Sequence, residues 1–319
     1  MATTAFPVNP TLTAIAIGYQ NRDIDLIADR VMPRIGKTGK KFKYTVYPLA
    51  DAYTVPNTRV ARRGAPTQVD FGGTEVQDEC VDFGLDDVLP NEEVIAWEQM
   101  SKPASGGPVS PMAKSTSLLT GLVLLDREIR VAGLVFNPAT YPAANRATLS
   151  GTSQWSDFTN SNPVDAILAA LDIPIFRPNV LTFGQATWSK LRQHPRMVTA
   201  ILGNQVNAGA VTREQVAAFF EVREVIVGAS FVNTARKGQT PTMSRVWGKH
   251  AAALFVSQDA ADADQPTFGF TAEFGDRIAG TMDEPKLGLR GSTIVRVGES
   301  VKEVISAAAS GYYFENAVG

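Results

Sequence analysis

Polar and apolar side chains alternate strictly from Lys41 to Val46, with Phe42, Tyr44 and Val46 on one face and Lys41, Lys43 and Thr45 on the other. A period of two predicts a half-buried strand. The alternation returns over Thr74–Leu85, where Val76, Val81, Phe83 and Leu85 are apolar and Cys80 sits one register off. Between the two, Pro48–Gly73 carries three Pro, three Gly and no periodicity, which makes it a long loop or hairpin tip. Pairing Lys40–Leu49 with Glu75–Leu85 gives a ribbon whose strands reach ~33 Å. A lone two-stranded ribbon is marginal in water, so this one needs a surface to lie on.

Residues 1–20, with Pro7 and Asn9-Pro10, read as an arm rather than a core element. Asn21–Val31 reads as a short amphipathic helix, with Ile24, Ile27 and Val31 on one face and Pro33 as its stop. A helical stretch spans Pro90–Met100 and breaks at Ser105-Gly106-Gly107-Pro108. The strongest single element comes next. Ser110 is its expected N-cap, Pro111 its first residue and Asn137-Pro138 its end. Leu118, Leu122, Leu125, Ile129, Ala132 and Phe136 repeat along it with spacing 4, 3, 4, 3, 4. That stripe covers ~27 Å of one face and reads as core. Asp126 and Arg130 pair at i, i+4 on the other side.

Tyr141–Asn162 is a polar connector, and a change of domain is placed there. Helices and strands then alternate. Asn162-Pro163 opens a helix carrying Val164, Ile167, Leu168 and Leu171; Asn179–Phe183 is a buried-type strand; Gln185–Gln193 is a helix ended by Pro195. Thr212 caps a helix running to Phe220, and Val222–Val227 and Val246–Val256 read as strands. Phe268–Phe274 and Thr293–Val297 alternate again as a hairpin with a loop tip at Gly280–Gly291, and Val301–Ser306 and Gly311–Phe314 close the chain as strands. The class is α+β, with one compact α/β unit in the second half.

Charge sharpens the ribbon. Met1–Asp70 holds ten Lys/Arg against five Asp/Glu, whereas Phe71–Met100 holds nine acids and no Lys or Arg. Opposed arms of opposite sign attract across a ladder by ~0.2–1 kcal/mol per pair. The net charge of −2 over 319 residues gives no global field for nucleic acid or membrane. No run of about eighteen apolar residues predicts a membrane span, and no secretory signal opens the chain.

The search for chemistry comes up nearly empty. One cysteine, Cys80, excludes an internal disulfide and reads as a small half-buried strand residue. His194 and His250 read as surface or interface residues without ligand partners at i+3 or i+4. Nucleotide-binding glycine loops and the G-x-S-x-G elbow are missing, so no cofactor, metal or catalytic set is expected. Asp82, Asp86 and Asp87 read as a solvated or arm-paired acidic face. The lysines of Lys37–Lys43 point away from Phe42 and Tyr44, which argues against a nucleic-acid groove.

Leu26-Ile27-Ala28-Asp29-Arg30-Val31-Met32-Pro33-Arg34-Ile35, followed by Lys41-Phe42-Lys43-Tyr44, resembles the N-terminal signature of tailed-bacteriophage major capsid proteins. Arg213–Gly228 with Arg245-Val246-Trp247-Gly248, and the ending Gly311–Val318, are similar to later parts of that family. The resemblance implies a Hong Kong 97-type fold. Its parts would be an N-terminal arm (1–35), an extended loop (36–87), a peripheral domain with a spine helix (88–138), an axial domain (139–265), a returning peripheral hairpin (266–299) and C-terminal axial strands (300–319). Gly280–Gly291 would be the loop at quasi-threefold contacts.

In that family the extended loop lies over the neighbouring subunit, and some members cross-link a loop lysine to a neighbour's asparagine. Pro48–Gly73 contains no lysine, only Arg59, Arg62 and Arg63, whose guanidinium is not a nucleophile. A non-covalent shell follows. The arginines are expected to meet acids of a neighbour, namely Glu92, Glu93 or Glu98. The resemblance implies copies of the chain forming hexamers and pentamers in the virion, assembled in host cytoplasm around double-stranded DNA held without sequence readout. A separate scaffolding protein is expected because no fused scaffold precedes the arm, with a portal and a decoration protein as further partners. Two alternatives stay open: another virion ring or tube subunit, and an oligomeric enzyme with its site in 160–265.

Overall fold

The computed structural model describes residues 8–18, 26–36, 38–46, 54–60, 62–68, 74–100, 110–203, 209–257 and 267–319. In chain order its main elements begin with α1 (Pro10–Gly18), α2 (Ala28–Val31), β1 (Lys41–Val46), β2 (Thr74–Glu79), β3 (Val81–Pro90), α3 (Asn91–Met100) and α4 (Pro111–Val135). There follow β4 (Arg146–Thr148), α5 (Pro163–Asp172), β5 (Val180–Gly184), α6 (Gln185–Leu191), α7 (Pro195–Leu202), α8 (Arg213–Phe219) and β6 (Glu224–Gly228). The chain ends with β7 (Phe231–Asn233), β8 (Met243–Arg245), β9 (Ala251–Leu254), β10 (Gly269–Glu273), β11 (Ile278–Glu284), β12 (Ser292–Ile305) and β13 (Gly311–Glu315).

The α/β unit is built on a sheet in the order β4-β13-β9-β5-β6. Its central strands are buried on both faces, which is why they read as apolar runs rather than half-polar alternations. Leu181, Phe183, Val225, Val227, Ala253 and Phe314 pack with α5 and the helices after it on one face. Val180, Ile226, Leu254 and Tyr313 pack on the other with Val131, Ala132 and Val135 of α4 and with Trp247. Gly228 makes room for that tryptophan, since a Cβ there would meet its ring at 2.1 Å.

The second sheet is centred on β12. β10 and β11 follow one another along one side, and β3 lines the other from Val81↔Val301 to Pro90↔Ser292. The twenty-five residues of α4 extend ~37 Å, long enough to serve both sheets. Its first half covers Val295 and Val297 of β12 through Leu119.

Several expectations change. Residues 10–18 are a helix, not a loose arm: Leu12 and Ala16 are buried against Leu119 and Val295. Asn9 initiates it, accepting from Thr11 N and Leu12 N at 3.0 and 3.3 Å. Of the Asn21–Val31 helix only Ala28–Val31 is seen, Asn21–Asp25 lying outside the described residues, as does the Ser105–Pro108 break. The return strand divides at Cys80. β2 pairs β1 over six residues, and β3 leaves the ribbon to join β12. Cys80 is fully buried among Phe42, Phe270 and Val304, so burying the odd-register residue re-aims the chain.

The leucine stripe is reversed over most of its length. Leu118 and Leu122 are 59 % and 54 % exposed and Ile129 is exposed too, while the buried face carries Thr116, Leu119, Thr120, Val123, Arg127 and Val131; only its C-terminal end, Ala132 and Phe136, packs in the core as the spacing predicts. The threonines can occupy that face because their hydroxyls are satisfied within the helix. Thr116 and Thr120 hydroxyls donate to the carbonyls of Met112 and Thr116 at 2.8 and 2.7 Å. Elsewhere Pro195 starts a helix as well as ending one, with His194 capping it. The Val246–Val256 strand shrinks to β9, since Val246–Lys249 form turns, and the Gly280–Gly291 loop begins only after β11 ends at Glu284.

Candidate assembly surfaces

The ribbon's charges meet as opposites. Lys41 stands opposite Glu79 at 3.9 Å, Lys43 reaches Glu75 diagonally at 2.7 Å, and Lys40 holds Asp82 at 2.8 Å. The acids of β3 and β2 also engage β12: Arg296 binds Asp86 at 2.6 Å and Lys302 binds Asp78 at 3.3 Å. All but the half-buried Lys302–Asp78 pair are largely exposed and worth little each. The acidic arm is thus partly spent inside the subunit.

At the tip the balance differs. Thr67 Oγ1 donates to the Asn57 carbonyl at 2.9 Å and closes the loop, leaving Arg59, Arg62 and Arg63 exposed. Glu92, Glu93 and Glu98 are exposed on α3. Among the described residues no ion pair joins these arginines to these glutamates within one chain; Glu92 instead faces Arg290 at 3.5 Å.

A buried charge layer that sequence reading missed joins the arm, the long helix and the β12 sheet. Arg127, almost wholly buried in α4, donates to Asp29 at 2.5 Å and to Thr271 Oγ1 at 2.9 Å. Arg34 reaches Asp29 at 2.9 Å, Glu299 at 3.0 Å and Glu273 at 3.3 Å, and Arg277 also holds Glu299 at 3.1 Å. Burial pushes the Glu299 carboxyl up, but Arg34, Arg277 and Arg127 outweigh it and leave the pKa below its ordinary value. Arg130 joins Asp126 as the spacing predicts, yet also Glu303 at 3.0 Å, and lies 3.6 Å over the Phe83 ring.

Among the described residues Glu128 forms no ion pair. Its Oε1 accepts from Ile27 N at 3.0 Å and Trp247 Nε1 at 2.6 Å, and its Oε2 accepts from Ala28 N at 2.8 Å. Burial raises its pKa against those three donors. The segment Ile27–Arg34 acquires a physical reason: Ile27, Val31 and Met32 fill the core, Ala28 and Asp29 dock on α4, and Pro33 O and Ile35 N pair with Thr271 of β10.

Neither histidine is a surface group. His194 is fully buried: Nδ1 accepts from Arg196 N at 3.3 Å, so Nε2 carries the proton and donates to Ser161 Oγ at 3.0 Å. Ser161 Oγ donates onward to Asp157 O at 2.7 Å. A donating imidazole is no general base, and the chain of bonds is a structural clasp. His250 Nδ1 lies 2.9 Å from Tyr313 OH and accepts from Asn316 N at 3.1 Å, half-buried against Phe136. Burial pushes the Cys80 thiol up, away from thiolate chemistry. Among the described residues no group of His, Cys, Asp or Glu is disposed to hold a metal, and no helix is long and apolar enough to cross a membrane.

No family model matches the sequence. A curated relative, the major capsid protein of Pseudomonas phage JBD67, is 42 % identical over 318 residues, spanning 100 % of this chain and 99 % of its own. The chain belongs to the phage major capsid proteins.

Solved structures agree on the fold of this capsid protein. A phage-related protein from Bordetella bronchiseptica RB50 superposes with a TM-score of 0.75 at 22 % identity, covering 98 % and 99 % of the two chains. The Microbacterium phage Oxtober96 structure gives 0.58 at 11 % identity over 99 % and 96 %. A virus-like particle from Pyrococcus furiosus gives 0.51 at 11 % identity over 95 % and 96 %. The fold is the α+β Hong Kong 97 type, as the resemblance implied. Membership makes the capsid protein a structural subunit and not an enzyme, one that associates with its own copies and resides in the virion.

Proposed function

We propose that this protein assembles into hexamers and pentamers of an icosahedral head enclosing double-stranded DNA. The full-length identity to a phage major capsid protein carries the reading. Its parts are the arm (1–35), extended loop (36–87), peripheral domain (88–138 and 266–299) and axial domain (139–265 and 300–319). The loop lies over a neighbour, where Arg59, Arg62 and Arg63 meet Glu92, Glu93 and Glu98. The exposure and opposite charge of these six residues support that assignment. Closure uses many weak contacts: an interface of millimolar strength supplies only ~4 kcal/mol, but each subunit makes several at once. The shell is non-covalent, forms in the host cytoplasm with a separate scaffold and a portal, accepts a decoration protein, and holds DNA without sequence readout.

Sedimentation of the expressed protein tests the reading, with shells or capsomer-sized rings expected and a small monodisperse dimer against it. Reversing Arg62 and Arg63 to Glu tests the loop contact. Impaired assembly is expected; unchanged assembly removes these residues from the interface.

A further inference from the structure

The hairpin β7–β8 is a second ribbon standing by itself. Phe231 pairs with Arg245 and Asn233 with Met243 in a two-stranded sheet of its own. Its turn is well made: Asn233 Oδ1 accepts from Ala235 N and Thr242 N at 3.1 and 2.9 Å, and Gly238 takes φ +88° at the tip. So small a ribbon gains little from its own contacts. It also presents a mixed surface. Phe231 and Met243 are 42 % and 60 % exposed, with the Arg245 guanidinium 4.5 Å from the Phe231 ring. From Val225 to Ser257 the chain has four Lys/Arg and no acid. Arg236 and Lys237 stand exposed at the tip, without an ion-pair partner among the described residues.

A surface of opposite character lies across the same sheet. Helix α5 buries Ile167, Ala170 and Leu171 and turns Asp165, Leu168 and Asp172 to solvent at i, i+3, i+7. Ile173 and Ile175 continue the exposed apolar strip. Asp165 accepts from the Asn162 amide, and neither carboxylate has an ion-pair partner among the described residues. The two surfaces sit toward different ends of the sheet. The ribbon follows β6, the end strand, whereas α5 packs over β9 and β13.

We propose that the β7–β8 ribbon of one copy docks on the exposed face of α5 in the next copy. Phe231 and Met243 would lie along Leu168, Ile173 and Ile175, with Arg236 and Lys237 on Asp165 and Asp172. Two different patches at different ends make a head-to-tail contact, and such contacts close into rings. The inference rests on the shell reading and names one bond within its capsomer. The phosphate backbone of DNA is the rival ligand for the two cations. The exposed apolar half of the ribbon and its match on α5 favour protein.

The test uses the full-length chain with Arg236→Glu/Lys237→Glu, with Asp165→Lys/Asp172→Lys, and with all four changes. Like charges placed opposite one another suppress association, and restoring opposite signs returns it. Each reversed pair is expected to raise the concentration for half-assembly about tenfold or more, and the combined variant to bring it back within about threefold of wild type. Melting of the unassembled subunits separates assembly from folding and is expected to stay unchanged, since all four residues are exposed. Normal assembly of either reversed pair, or failure of the combined variant to recover, overturns the proposal. Normal shells with less encapsidated nucleic acid from the Arg236/Lys237 variant overturn it in favour of phosphate binding. A wild-type chain that forms no assembly overturns the shell reading itself.

Discussion

Removing the Glu128 carboxylate measures how firmly the arm is fixed to the subunit. The side chain is fully buried and serves Ile27 N, Ala28 N and Trp247 Nε1 at 2.6–3.0 Å. Glu128→Ala leaves three buried donors without an acceptor, each costing ~1–3 kcal/mol. Together they take ~3–9 kcal/mol, a large part of the ~5–15 kcal/mol by which a domain is stable. Glu128→Gln keeps one oxygen for Ile27 and Trp247 and removes a buried charge, but points an amide N–H at Ala28 N. A loss of ~1–2 kcal/mol is expected for it. Urea denaturation of the unassembled subunit, followed by tryptophan fluorescence, reads both, because Trp247 reports on the broken bond. Near-wild-type stability of Glu128→Ala would refute the reasoning and mean that water replaces the carboxylate. A loss from Gln as large as from Ala would show that the charge, not the acceptor count, matters.

The burial of His194 sets a pH dependence. Its pKa lies below the ordinary 6.5 because burial disfavours the imidazolium. The stability it contributes is present in full above the unfolded pKa and is lost as pH falls through the lowered folded value. His194→Gln, which can keep both hydrogen bonds, should flatten the fall in melting temperature between pH 7.5 and 5; an identical slope would contradict the assignment. Leu118→Ala and Leu122→Ala should each cost the subunit no more than ~0.5–1 kcal/mol, against ~2 kcal/mol for Val131→Ala in the core. Equal losses in urea denaturation would mean that the exposed stripe is covered within the subunit. Denaturing electrophoresis of purified particles should show monomer, because the loop tip lacks lysine; a ladder of multimers would overturn the non-covalent shell.

What was legible in the sequence follows physical lines. Strands half-buried on one side, such as Lys41–Val46, announce themselves by alternation, and capped helices such as Arg213–Phe219 by their cap residue, Thr212. The long helix was legible in extent and not in orientation. Apolar residues surround it, so spacing alone selects the leucine stripe over a buried face that includes Thr116, Thr120 and Arg127. The threonines satisfy their hydroxyls on carbonyls four residues back, whereas Arg127 and the neighbouring Glu128 depend on partners distant in sequence: Arg127 meets Asp29 98 positions away, and Glu128 meets Trp247 119 positions away. No local period encodes such pairs. The division of the return strand at Cys80 was hidden for the same reason, since β3 finds its ladder more than two hundred residues later in β12. The arm motif Ile27–Arg34 was visible as a resemblance before the structure supplied its cause.

The central claim is that this chain builds a closed shell in which each extended loop rests on a neighbouring copy. Electron microscopy of the assembled protein tests it most directly. The account predicts fivefold and sixfold capsomers, with residues 54–68 of one subunit seated beside the Asn91–Met100 helix of the next. A particle in which that loop folds back onto its own subunit, or rings that never close, would contradict it.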